Sequence, residues 1–189
     1  HDSQYMDKLF RKYYDYKKGQ VLYYSYHNEF IETINKLTVK KKIRIKYNIP
    51  QDSIILFAIG RDSEQKGWHF VKEVMSKLPD NYRLITAGKD DFFSVKELAE
   101  VSYASDIGIA LSTFEPFGLS AMDYGLAKLP AVVTDVGGLP ETVIDNETGF
   151  VIPIIANKNN EPEGILTFRD LFHVALEQGN SDSVLDNSD

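Results

Sequence analysis

Two carboxylates, two cations and the start of a helix carry most of the chemistry that this sequence offers. Glu115 and Asp123 lie eight residues apart in the run EPFGLSAMDYGLAKLP, from Glu115 to Pro130. The run follows a short apolar stretch, Ile107 to Leu111, that reads as a buried strand. It continues with Leu119, Met122, Leu126 and Leu129 at helical spacing. A strand, a loop bearing a carboxylate, and a helix start with free N–H groups form the layout of an anion-binding crevice. With a rise of about 1.5 Å per residue, the two carboxylates stand on the order of 10 Å apart. That separation suits hydroxyls on either side of a diphosphate better than one shared proton. Upstream, Gly60-Arg61 ends another apolar run and Lys66-Gly67 opens the following helix. A guanidinium supplies a planar fork and an ammonium a point charge, and both suit phosphate oxygens near a helix start. Gly137 and Gly138, in the run VGGLPE, admit two readings. They form either a plain turn, with Glu141 starting a short helix, or a close approach of backbone to ligand.

These groups need a scaffold, and the pattern from Ser53 onward supplies one. Strands are expected at Ile54 to Gly60, Tyr82 to Ala87, Asp106 to Leu111, Ala131 to Thr134 and Gly149 to Ile152. Helices are expected between them at about 66–78, 93–103 and 117–128. Short continuous apolar strands alternating with amphipathic helices predict an α/β fold, a Rossmann-like parallel sheet with helices on both faces. Before Ser53 the spacing predicts a helix at 5–17, a β run at Val21 to Tyr26, and helices at about 28–37 and 39–48. Beyond the last strand, Ala156 to Gly164 reads as a loop and 167–178 as a helix. The acidic, polar tail 179–189 reads as disordered.

Composition narrows the function. The chain has 189 residues, a formal charge of −7 and no cysteine, so disulfides and thiolate metal sites are excluded. The acidic balance argues against broad nucleic-acid binding, which needs clustered Lys and Arg. The one basic run, Lys40 to Lys46, reads as a solvated helix face. No apolar run approaches the roughly 20 residues of a membrane helix, and no signal peptide is visible. The four histidines form no metal pattern, and His69 and His173 read as packing or surface residues. Neither G-x-G-x-x-G nor G-x-x-x-x-G-K-S/T is present, which weakens dehydrogenase and P-loop readings.

The Glu115 block resembles the E-x7-E signature of retaining GT-B glycosyltransferases, in the large family numbered four and its glycogen- and starch-synthase relatives. Gly60-Arg61 with Lys66-Gly67 resembles that family's G-R-x4-K-G element, and Val136 to Glu141 its V-G-G-x-x-E. The resemblance implies that Arg61 and Lys66 grip the donor diphosphate and stabilise charge on the departing nucleotide. It further implies that Glu115 holds the sugar, the backbone of Phe117, Gly118 and Leu119 the phosphates, and Asp123 the ribose, with Gly137 and Gly138 close to the donor. Two positions depart from the pattern: the second acid is Asp123 rather than Glu, and Lys128 stands where the helix-ending Gly is expected. A third departure is the direct run from Ile85–Asp91 into the next helix, where an extra helix and strand are usual.

On this resemblance, residues 1–26 are a remnant of an N-terminal acceptor domain and linker whose remainder is missing. Residues 27–178 are the nucleotide-sugar-binding half of a GT-B fold. The reaction implied is transfer of a hexose from a nucleotide-diphosphate sugar to a hydroxyl, with retention, without metal or other cofactor, in the cytoplasm. The chain alone is expected to bind nucleotide weakly and to transfer nothing. The alternative is a non-catalytic nucleotide-sugar-binding or assembly module on the same fold.

Overall fold

The computed structural model describes residues 1–14, 19–23, 35–61, 63–88, 93–156 and 162–165. Helices α1 (Gln4–Tyr13) and α2 (Lys36–Lys46) precede an alternating unit. It runs β1 (Ile54–Ile59), α3 (Trp68–Lys77), β2 (Tyr82–Ala87), α4 (Val95–Ala104), β3 (Ile107–Ala110), α5 (Leu119–Leu126), β4 (Ala131–Thr134) and β5 (Gly149–Ile152). The five strands are parallel, in the order β2-β1-β3-β4-β5. The chain steps outward from β1 to β2, then crosses back past β1 to lay down β3. The strand order therefore reverses between β1 and β3, and open sheets of this kind hold ligands outside the carboxyl ends of the strands at that reversal.

The pleat sorts strand side chains into two layers. Ile55, Phe57, Ala131 and Val133 face a layer containing Val39 and Ile43 of α2, Val101 of α4 and Tyr124 of α5. Leu56, Ala58, Ile107, Ile109 and Val132 face the other, with Phe70, Val71 and Val74 of α3. Helices cover both faces, as the continuous apolar strands require. The five expected strands and the helices between them all form, with ends shifted by at most a few residues.

Lys41, Lys42 and Lys46 are exposed, as on a solvated face, but Arg44 is buried and the run also carries ion pairs. Helix α2 packs along α4, and its cations are the teeth of that contact. Lys40 Nζ lies 2.7 Å from Asp106, Lys42 Nζ 2.6 Å from Glu100, and Lys46 Nζ 3.6 Å from Glu97. Arg44 is buried, donating to the Pro50 carbonyl at 2.5 Å and the Ser53 carbonyl at 2.8 Å, with Asp106 at 3.6 Å. Asp106 also accepts the Ile55 N–H at 2.8 Å. The run thus fastens the entry of β1 to the entry of β3, below the sheet end where ligands are expected. Periodicity could not reveal this, because Glu100 and Asp106 lie 58 and 66 residues downstream of their lysines.

Two further expectations change. Residues 21–23 form no strand; Leu22 N–H instead donates to the His1 carbonyl at 2.8 Å, returning the chain to its own start. The stretch read as a loop at 156–164 contributes to an antiparallel ribbon of β6 (Ile154–Ala156) and β7 (Pro162–Ile165). The expected helices at 28–37 (apart from its last residues) and 167–178, the tail 179–189, and His27 and His173 lie outside the described residues. Among the described residues, no helix is long and apolar enough to cross a membrane.

Lys128 accounts for its own departure from the pattern. It follows α5 with φ 53°, in the left-handed region, and its N–H bonds the Gly125 carbonyl at 3.0 Å. This is the helix-terminating position where glycine is favoured, because a Cβ there is crowded. Lys128→Gly should therefore raise unfolding free energy by about 1 kcal/mol in denaturant titrations. Arg44→Met should lower it by about 3 kcal/mol, since the Pro50 and Ser53 carbonyls and Asp106 lose their buried cation. Lys40→Met, at a partly exposed pair, should cost less than about 1 kcal/mol.

Candidate functional site at the parting of β1 and β3

The ladder between β1 and β3 pairs Leu56, Phe57 and Ala58 with Ile107, Gly108 and Ile109, and ends there. Beyond it the strands part, and the fully buried Tyr124 spans the gap. Its hydroxyl accepts the Ile59 N–H at 3.0 Å and donates to the Ile109 carbonyl at 3.1 Å. The ring reaches this position because β3 carries Gly108; a Cβ there would lie 2.5 Å from the ring. Burial pushes the Tyr124 phenol far above its ordinary range, outweighing the two backbone hydrogen bonds, so the donor proton stays in place.

Two loops rise from the parted strands and are fastened together. Residues 60–67 leave β1, and residues 111–118 leave β3. Thr113 N–H donates to the Gln65 carbonyl at 2.8 Å, and the Gln65 amide returns a bond to the Phe114 carbonyl at 3.1 Å. Gly67, at φ 66°, lies so close to Leu111 that a Cβ would sit 1.7 Å from its carbonyl oxygen. The aliphatic stem of Lys66 runs over Gly60, whose missing Cβ would meet it at 3.2 Å. Lys66 Nζ then ends 2.5 Å from the Glu115 carboxylate, to which the Ser112 hydroxyl also donates at 3.3 Å. Glu115 is buried; Lys66 keeps a share of its surface exposed. A small cavity beside the pair is lined by Lys66, Trp68, Ser112 and the ends of β1 and β3.

The structure therefore joins Lys66 and Glu115, to which the family resemblance gives separate partners, diphosphate and sugar. Arg61 stands exposed on the first loop, and its carbonyl accepts the Trp68 indole N–H at 2.7 Å. Phe117 is buried, Gly118 caps α5 at φ 110°, and Leu119 begins the helix, half exposed. The first N–H groups of that helix lack partners within it by position. Asp123 is half-buried in the second turn of α5, beside Tyr124. Gly137 and Gly138 lie against the same loop: Cβ atoms there would fall 1.8 Å from the Glu115 carbonyl oxygen and 2.4 Å from that of Pro116. Their permissive backbone is used for this contact, and Gly138 N–H donates to the Glu115 carbonyl at 2.8 Å.

Ser112, Gln65 and Tyr124 were not singled out from the sequence. Tyr124 left one signal, a large aromatic residue among the small ones of α5. Gln65 left none, since its role depends on the meeting of two loops 49 residues apart, and Ser112 left none because a serine three residues before an acid is common in loops.

The sequence and the fold have known counterparts. Residues 92–161 match the family described as glycosyl transferases group 1. The chain is 24% identical over 136 residues to a trehalose synthase of Thermococcus litoralis, an alignment covering 72% of this chain and 32% of that protein. In solved structures, the C-terminal domain of a glycosyl transferase group 1 family protein, LpcC from Francisella tularensis, superposes with a TM-score of 0.55 and 18% identity. That match covers 86% of this chain and 89% of the other. Anabaena HepE, solved in complex with UDP-glucose, superposes with a TM-score of 0.68 and 16% identity, covering 87% of this chain and 48% of HepE. The chain shares the Rossmann-like parallel α/β fold of these glycosyltransferase domains, and residues 92–161 are similar to the group 1 family. It spans about a third of the length of the curated trehalose synthase that it matches.

Tyr124→Phe removes the hydroxyl and strands one backbone donor and one acceptor where β1 and β3 part. It should lower unfolding free energy by about 2 kcal/mol in denaturant titrations.

Proposed function

We propose that this domain binds a nucleotide-diphosphate sugar at the β1/β3 reversal and forms the donor side of a retaining hexosyl transfer to a hydroxyl. The observation that carries this reading is the Lys66–Glu115 pair, 2.5 Å apart and at the carboxyl ends of the parted strands. HepE, which shares the fold and was solved with UDP-glucose, supports the ligand class. In this reading Lys66 and the exposed Arg61 receive the diphosphate. Charge accumulates on the departing nucleotide as the glycosidic bond breaks, and a fixed ammonium beside it stabilises that charge without reorganising. The amides at Phe117 to Leu119 meet a phosphate at the start of α5. Glu115 orients the sugar through its hydroxyls and Asp123 addresses the ribose. Gly137 and Gly138 act one step back, by fixing the loop that bears Glu115.

The same pair gives the reading a specific consequence. Glu115 already neutralises Lys66, so an entering diphosphate must share that cation. Calorimetric titration with UDP, ADP and GDP should detect binding of at least one. Lys66→Ala and Arg61→Ala should each weaken it by roughly 10- to 100-fold, as expected for a lost charge-assisted hydrogen bond. Glu115→Gln should tighten the free nucleotide several-fold, because the ammonium is released from its partner, while removing any contribution of the sugar. Absence of binding by all three nucleotides would sink the proposal.

Asp123 favours a second reading, a donor-binding module without turnover. Its carboxylate is one methylene shorter than the family's second acid, on a helix held in place by Tyr124. Nucleotide binding with no sugar transfer in the presence of acceptor would support that reading.

A further inference from the structure

The start of the chain is seated on the candidate site by contacts that span more than a hundred residues. Ser3, fully buried, donates its hydroxyl to the Pro116 carbonyl at 2.5 Å while accepting the Met6 N–H at 3.1 Å. The next two free amides at the start of α1 are taken by one side chain. Gln4 N–H and Tyr5 N–H donate to the two carboxylate oxygens of Glu141 at 2.9 and 2.8 Å. The Tyr23 hydroxyl donates to the same carboxylate at 3.0 Å. A carboxylate there meets both unsatisfied N–H groups and the positive end of the helix dipole. Tyr5 places its ring edge-on to Phe114, centroids 6.1 Å apart, and Tyr23 packs on Phe117 at 5.8 Å. Phe114, Pro116 and Phe117 surround Glu115, and Glu141 follows the paired glycines that press on the same backbone.

We propose that Glu141 is a positioning residue. It clamps α1 and Tyr23 over the Glu115 loop, and this clamp holds the loop in the form that meets the diphosphate. Glu141 touches no substrate in this account. Its effect passes through α1 and Ser3 to the Pro116 carbonyl, one residue from Glu115. The link to nucleotide rests on the donor-site reading; the clamp itself does not.

Hydrogen exchange on the full 189-residue chain, followed by UDP titration, tests both parts. In Glu141→Gln the amide group cannot accept both helix N–H bonds. Exchange at residues 4–13 should quicken about tenfold and at residues 113–118 several-fold, with β4 and β5 unchanged. UDP affinity should fall about three- to tenfold. Ser3→Ala should reproduce the effect at 113–118 by the second route. Unaltered exchange at 113–118 in both variants would overturn the clamp. Faster exchange there with undiminished UDP affinity would overturn its link to the site. If UDP fails to bind the unaltered chain, the donor-site reading falls, and the exchange result alone upholds or overturns the clamp.

Discussion

The structure depends on the parting of β1 and β3. Two adjacent parallel strands separate only if the backbone groups freed by their separation find other partners, because unpaired buried groups cost on the order of 1–3 kcal/mol each. Tyr124 provides both an acceptor and a donor from a single atom, at the Ile59 N–H and the Ile109 carbonyl. It can do so because Gly108 leaves the face of β3 bare under its ring. The pair acts as a wedge, with the glycine making the space and the phenol filling it. It fixes α5 against the sheet and sends the loops after β1 and β3 upward on either side of a crevice.

Above that wedge, one loop collects the contacts of the others. Glu115 is reached by Lys66 from the loop after β1, its backbone by Gly138 from the loop after β4, and the neighbouring Pro116 by Ser3 from the chain start. Thr134, fully buried at the end of β4, donates to the Ser112 carbonyl at 2.5 Å and steadies the same loop from below. Most of these bonds are to main-chain atoms. The loop is thereby fixed in shape while its side-chain carboxylate remains free to exchange partners. Such an arrangement suits electrostatic work, where donors and charges must already be in place when a ligand's charge develops.

The scaffold was legible in the sequence because its signals are local. Tyr82–Ala87, Ala131–Thr134 and Gly149–Ile152 are apolar runs bounded by polar or turn residues, and their bounds hold. Arg61 could be singled out because it follows such a run closely, and Lys66, Glu115 and the paired glycines because they lie in the loops that leave one. What was not legible are the pairings between distant segments. Nothing in the spacing of Lys40 to Lys46 shows that this exposed face also pairs with Glu97, Glu100 and Asp106. The glycines at 137 and 138 left open whether ligand or protein backbone approaches them, and the neighbour proves to be the Glu115 loop itself. Glu141 reads locally as the first acid of a short helix, while its partners are amides 136 and 137 residues away.

The wedge also bears on Asp123. Shortening an acid by one methylene withdraws its carboxylate by a little over 1 Å, which a sliding helix could restore. Helix α5 is not free to slide, since the Tyr124 hydroxyl is held by both strands and its ring by the bare face at Gly108. The two acids are therefore set by different parts of the scaffold, Glu115 by its loop contacts and Asp123 by the wedge. Under the donor-site reading, any adjustment to the shorter acid must come from the ligand. The nucleotide end would then sit slightly deeper toward α5 than a longer acid requires, with the diphosphate still anchored at Lys66. On that reading a site built this way loses grip on the ribose before it loses the diphosphate, and nucleotide recognition would rest mainly on Lys66, Arg61 and the first amides of α5.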